Sequence, residues 1–268
     1  MKKLITTLSL AATLVSTANA IPLIDGGVGI GQWAMDKPTG HIDAIVPGFD
    51  IPNIDLADTA GFDSIQANYA YAYIEHPIPI VPNVRLEYLD PTFDGTIASI
   101  DIAGNTYSAT NSLNLKQVDA MLYYDLLGYV PTSLIPFVDI KIPAGFGVKA
   151  IDGEYSLNAT GLTIPTVPVA MLMPYVYINP EVQAFGFGLN VMYKYLGSGG
   201  LYDSGMTELS VSASYRMTFI PFVEPGIEIG YKQQDITLAS SDLDLDAGVG
   251  LDLETGFTGI YYGLFLEF

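Results

Sequence analysis

The chain has 268 residues, no cysteine, 10 basic residues against 29 acidic ones and a net charge of −19, yet half of its residues are hydrophobic and only 15% are charged. Without cysteine there is no disulfide, no thiol nucleophile and no thiolate metal site. So acidic a chain, with few and scattered Lys and Arg, does not bind nucleic-acid phosphates.

The opening stretch, "MKKLITTLSLAATLVSTANA", has a basic start (Lys2, Lys3), an apolar run from Leu4 to Val15 and the small-x-small ending Ala18-Asn19-Ala20. That is the pattern of a cleaved secretory signal, and its apolar run is too short to span a bilayer. Residues 1–20 are expected to be the signal peptide and 21–268 the exported chain, whose charge becomes −21 once Lys2 and Lys3 are gone. No later apolar run reaches the ~18 residues of a transmembrane helix. The apolar surface has to be hidden another way.

From residue 23 onward the period is two. In "SIQANYAYAYI", Ile65, Ala67, Tyr69, Tyr71 and Tyr73 alternate with Gln66, Asn68, Ala70 and Ala72. In "QAFGFGLNVMYKY", Phe187, Leu189, Val191, Tyr193 and Tyr195 alternate with Gly188, Asn190, Met192 and Lys194. In "ELSVSASYRMTF", Leu209, Val211, Ala213, Tyr215 and Met217 alternate with Glu208, Ser210, Ser212, Ser214 and Arg216. A soluble β-sandwich also alternates, but its strands average about 5 to 6 residues. These run about 10 to 12, the length that crosses a bilayer at a tilt. Tyrosine and phenylalanine near the ends of the apolar faces suit interfacial girdles, and the small or charged opposite faces suit a narrow lumen.

Strands are predicted at about 23–35, 64–75, 83–90, 113–127, 137–152, 162–178, 181–196, 207–220, 222–234 and 257–268. Short proline-rich connectors (75–83, 128–137, 178–181, 219–225) alternate with longer acidic ones (36–63, 91–112, 155–163, 197–206, 235–256), as periplasmic turns alternate with external loops. The expected fold is therefore an all-β, antiparallel transmembrane up-and-down β-barrel. Ten strands are favoured and eight are the alternative, with both termini in the periplasm. Pro143 and Pro174 fall inside predicted strands, where each removes a ladder donor and so calls for a bulge or a different strand count. The last strand, "IYYGLFLEF", turns Ile260, Tyr262, Leu264, Leu266 and Phe268 to lipid and has to close against the first, because hydrocarbon tolerates no open edge. Tyr262, Leu264, Leu266 and the final Phe268 also resemble the signal by which the barrel assembly machinery recognises its clients.

Several stretches resemble a family of bacterial outer-membrane β-barrel proteins of unassigned function, the group named for a GlyGly signature. They are "GGVGIGQWAMDKPTG" (26–40), "YIEHPIPIVPNVRLEY" (73–88), "LNLKQVDAMLYYDLL" (113–127), "GFGVKAIDGEYS" (145–156) and "YYGLFLEF" (261–268). The resemblance implies a monomeric barrel in the outer membrane of a Gram-negative bacterium and brings no functional residues with it.

The period-two phase puts six basic residues on the lumen side: Arg85, Lys141, Lys149, Lys194, Arg216 and Lys232. Glu87, Asp119, Asp125, Asp139, Glu208, Glu224 and Glu228 share that side. A basic residue facing lipid at midplane would cost about 2 to 4 kcal/mol, so the one-sided placement suits a barrel. These charges either fill and brace a small interior or select ions in a narrow channel. A ten-strand barrel leaves little free lumen, which favours filling.

The loop "SSDLDLDAGVGLDLETG" (240–256) starts like a calcium loop, but Ala247 and Leu253 stand where an EF-hand needs Gly and Glu. No metal or other cofactor is expected. Weak divalent-cation contacts between the acidic loops and lipopolysaccharide remain a reading of their composition. Omptin-type outer-membrane proteases use carboxylates with a histidine at the outer rim; here only His41 and His76 exist, and His41 with Asp43 makes a weak pair, so no enzyme is expected. "GVGIGQW" is no nucleotide loop, because no helix follows it. The leading expectation is an envelope-structural or surface-interaction barrel with at most a narrow pore, the alternative a porin-like channel for small ions or solutes.

Overall fold

In the computed structural model of the protein, residues 24–78, 80–102, 104–127, 138–217 and 223–268 are described, and the expected signal peptide lies outside them. Numbered in chain order, the strands are β1 (Asp25–Met35), β2 (Thr39–Val46), β3 (Phe49–Asp55), β4 (Ile65–Glu75), β5 (Asn83–Asp90), β6 (Thr92–Ile102), β7 (Asn105–Asp125), β8 (Val138–Lys141), β9 (Pro143–Ala159), β10 (Val167–Ile178), β11 (Glu181–Ala184), β12 (Phe187–Leu196), β13 (Gly205–Arg216), β14 (Glu224–Leu238) and β15 (Gly250–Glu267). All pairings are antiparallel, and the ring β1-β4-β5-β7-β9-β10-β12-β13-β14-β15 closes through β15 and β1, from Gly27↔Glu267 to Met35↔Gly259. The fold is an up-and-down barrel of ten strands.

The remaining strands extend this wall. β10 and β11 keep one register against β9 and β8, from Val167↔Tyr155 to Ala184↔Val138, so each pair is a single strand with a short break, at Asn179–Pro180 and at Ile142. β5 and β6 likewise run on across Pro91 against β7, and β2 continues β1 along β15 with a one-residue slip. β3 returns along β2, and the bridge Phe62↔Gly95 carries the wall on to β6, above the point where β4 ends.

These continuations correct the sequence reading in two places. The connectors predicted at 36–63 and 91–112 are largely strand: Ile42, Ala44, Val46, Phe93, Ile97 and Ile102 are buried, while the acids that made these stretches look like loops sit on the other face. The turn expected at 178–181 lies instead at Phe185-Gly186, both at positive φ (54° and 83°), between Ala184 and Phe187. A two-residue hairpin with left-handed backbone at both positions matches the twist of its strands. Pro180 was read as a turn signal, yet its carbonyl still accepts from the Val191 N–H within the ladder.

The strand prolines are explained in the same way. Pro143 opens β9 beside the break at Ile142. In β10 the Asn179 N–H donates to the Pro143 carbonyl, so odd-numbered residues address β9 and even-numbered ones the opposite side. On that side β12 ends at Leu196, opposite the start of the pairing at Val176. Pro168 and Pro174 therefore lack donors only where the ladder has already stopped.

The outward face carries Leu86, Leu122, Phe146, Leu172, Leu189, Val211, Ile229 and Leu264, a girdle of exposed apolar side chains. Tyr262 and Leu264 are exposed within it, and Phe268 lies against Gly26, with their backbones exchanging two hydrogen bonds. One face was read the wrong way round. Tyr69, Tyr71 and Tyr73 of β4, expected toward lipid, face inward, and Asn68 and Ile74 of the alternate positions are exposed outside. The reason is next door: they pair with Gly31, Gly29 and Gly27 of β1, where an added methyl group would overlap the tyrosine rings. The alternating glycines of "GGVGIGQW" are the floor on which these rings lie.

Candidate functional site

Three layers succeed one another along the barrel axis. At the end carrying residues 25 and 268 lies a cavity of about 560 Å³. It runs from the rim, where Asp25 and Asp139 are exposed, to the middle of the barrel.

The second layer is an ionic network built from inward positions of seven neighbouring wall strands, β5 to β14 in ring order. Lys149 and Lys194 are 1% and 0% exposed. The Lys149 ammonium donates to Asp119 (2.6 Å) and to the Gln117 carbonyl oxygen (2.9 Å) and stands 3.5 Å from Glu208. Lys194 donates to Glu87 (2.6 Å) and lies 3.0 Å from Glu208 and 3.6 Å from Asp119. Arg85 donates to Glu87 (2.7 Å), Lys232 pairs with Glu208 (2.9 Å), and the Tyr175 hydroxyl donates to Asp119 (2.7 Å). The amides of Gln117 and Gln234 exchange hydrogen bonds of 3.0 Å, and Gln234 also donates to Glu208. Each buried charge thus meets opposite charge and hydrogen-bond partners, the condition for keeping charges out of water.

The third layer, at the far end, is apolar. Met35, Leu113, Leu115, Ile151, Val169, Met206 and Phe257 point inward, and Phe93 of β6 stacks on Phe257 with centroids 5.3 Å apart. Trp33 stands at the border with the network, under the Lys232 ammonium, and reaches the cavity. Phe62 packs on Phe93 from the segment that follows β3.

The residues singled out from sequence fall as follows. Arg85, Glu87, Asp119, Lys149, Lys194, Glu208 and Lys232 meet in the network. Lys141 pairs with Glu75 (2.7 Å) and Arg216 with Glu224 and Glu267 around the cavity, which Asp139 and Glu228 also line. Asp125 stands apart: it accepts from the Leu127 and Ile142 N–H groups and ties the end of β7 to the break between β8 and β9. Sequence reasoning passed over Glu267, Gln117 and Gln234, inward by parity, because it followed basic residues and strand centres; it passed over Glu75 and Glu181 because the assigned phase of their strands turned them to lipid. It passed over the β4 tyrosines because their ring count looked lipophilic; their hydroxyls donate to Glu228 (Tyr69, 2.8 Å) and Glu267 (Tyr73, 2.8 Å).

At the far rim His41 lies 3.8 Å from both Asp43 and Glu254, all three side chains partly exposed. In the loop after β14, the Asp242 carboxylate accepts from the Ser204 N–H (2.7 Å), and Ser204 holds it below the usual carboxylate range. Among the described residues no group of three or more His, Asp or Glu is placed to hold a metal ion.

No protein-family model and no curated protein sequence matches the chain. Among solved structures it is similar to the outer membrane protease OmpT from Escherichia coli, at a TM-score of 0.50 and 13% identity, covering 92% of this chain and 97% of that one. It is also similar to a Pseudomonas aeruginosa FadL homologue (TM-score 0.33, 9% identity, 92% and 90% covered) and to a major outer membrane protein from Thermus thermophilus (0.31, 12%, 91% and 99%). At 13% identity the likeness to OmpT speaks for the barrel fold alone.

Proposed function

We propose that the chain works as a closed barrel in the bacterial outer membrane, with an envelope-structural or surface-interaction role and no continuous pore. The observation that carries this reading is the stacking of a buried ionic network on an apolar core inside the lumen. A conducting path has to be wet along its whole length, and the buried part of the network (Gln117, Asp119, Lys149, Lys194, Glu208 and Gln234, at 0–4% exposure) followed by the buried apolar layer interrupts it. The apolar girdle of the outer face and the barrel fold support residence in the outer membrane, with the cavity end toward the periplasm. The acidic residues of the far rim, Asp43, Asp252 and Glu254 among them, suit contact with lipopolysaccharide through divalent cations. The remaining parts of the proposal are a monomeric state, recognition of the last strand by the barrel assembly machinery, and kinship with the GlyGly-named barrels carried by the quoted motifs.

The test is current through a planar bilayer holding protein whose heat-shifted gel mobility proves a closed barrel. A silent bilayer is expected. Discrete steps whose ion selectivity changes with Lys141→Ala would replace this reading with the porin-like channel.

A further inference from the structure

The cavity has a charge imbalance that the closed-barrel reading leaves unused. Ten carboxylate side chains line it against five basic ones, with Lys194 reaching the network from behind. The network and the Lys141 and Arg216 pairs absorb six of these acids. Among the described residues Asp25, Asp139, Glu181 and Glu228 have no basic group within 4.0 Å, and Glu228 is held through the Tyr69 hydroxyl instead.

A second and independent observation concerns Tyr177. Its side chain lines the same cavity at 5% exposure, and its hydroxyl has no hydrogen-bond partner among the described residues. A buried hydroxyl without a partner is costly, so it marks a place where a ligand group or water completes the bonding. The indole N–H of Trp33, another lining residue at 1% exposure, is unpartnered as well. Tyrosine faces supply the third element: the cavity already seats the Arg85 guanidinium 4.4 Å over the Tyr71 ring, which shows that its rings accept cations.

We propose that this cavity is a binding site for a small organic cation, an amine carrying one to three ammonium groups. Its volume lies in the range of small-molecule pockets, about 300 to 1,000 Å³. A bare metal ion is the poorer fit, because no three carboxylates converge among the described residues. Glu228 and Glu181 supply the charge, the Tyr177 hydroxyl accepts from an ammonium N–H, and the neighbouring rings enclose the methylene chain. The proposal rests on the cavity and stands whether or not the barrel conducts.

The test is titration of the folded protein in detergent at low ionic strength with spermidine, with glutarate and Mg²⁺ as controls. Binding is read by calorimetry and by the fluorescence of Trp33, the single tryptophan. Two variants keep the fold: Glu228→Gln retains an acceptor for Tyr69, and Tyr177→Phe removes a hydroxyl that bonds none of the described residues. Saturable spermidine binding is expected, weakened about tenfold or more by each variant, as for loss of a hydrogen bond to a charged group. No saturable binding, equal binding of glutarate or Mg²⁺, or affinity unchanged in both variants would overturn the proposal.

Discussion

Lys194 is the most informative residue to remove. Its ammonium, fully buried, lies within 3.6 Å of three carboxylates on three strands: Glu87, Glu208 and Asp119. Lys194→Met keeps the length and apolar stem of the side chain and deletes the charge. Breaking a buried pair costs about 3–5 kcal/mol, because a charge is left without its partner. Here each carboxylate keeps another cation, Glu87 its Arg85, Asp119 its Lys149 and Glu208 its Lys149 and Lys232. The loss therefore belongs at the low end, about 3 kcal/mol, or roughly a hundredfold in the folding equilibrium. Guanidinium unfolding from lipid vesicles, followed by Trp33 fluorescence, measures it as a shift of midpoint at constant slope. Adding Glu87→Gln should deepen the loss, since Arg85 then loses the carboxylate it pairs with. A Lys194→Met change below about 0.5 kcal/mol, the size of an unremarkable surface substitution, would refute the account of the network as a mutually compensating set.

Gly29→Val should block assembly of the barrel, because the new side chain occupies the space of the Tyr71 ring, and Tyr71→Ala in the same chain should restore the heat-shifted gel band. Phe93→Ala removes a fully buried ring stacked on Phe257 and should cost about 3–5 kcal/mol, seen as easier proteolysis of residues 92–114 with the membrane strands still protected. Asp242 has a lowered folded-state pKa, so its link to Ser204 stabilises the loop above the ordinary carboxylate pKa and is lost as pH falls through the lowered value. The protection of residues 239–249 from hydrogen exchange, taken relative to the intrinsic rate at each pH, should therefore be high at pH 7 and fall in strong acid, and Asp242→Asn should remove that change in protection.

Much of the barrel could be read from the period of two, because lipid and lumen impose opposite chemistry on successive residues of one strand. β12 and β13 were legible for that reason: Leu189 and Val211 face out, Lys194 and Glu208 face in. β4 was not, because an interior floored by glycine admits tyrosines, and a phenol with a buried carboxylate to bond is as much a lumen residue as a lipid one. The extensions β2, β3 and β6 were hidden by composition. Their outer faces are acidic and their buried faces short, so the average over a window looks like a loop while the alternation Ile42, Ala44, Val46 says strand. The unpaired carboxylates of the cavity were beyond reach of the sequence. Which of ten inward acids lacks a cation depends on partners at no fixed separation: Glu87 meets Arg85 two positions away and Lys194 more than a hundred away.

The seam at β15 governs the order in which this molecule can be built. β15 receives β1 along Gly259–Glu267 and β2 along Gly250–Gly256, so one edge accepts both halves of the segment 25–46. The partners stand more than 200 positions apart, Gly27 with Glu267 and Thr39 with Gly256. Pairings so distant in sequence are slow to find and come last. Until they form, the β15 edge and the apolar core behind it are both open to the surroundings; once they form, lipid seam and far-end core close together. Sealing the wall and filling the lumen are thus a single kinetic event, and a change that delays the first strand delays both.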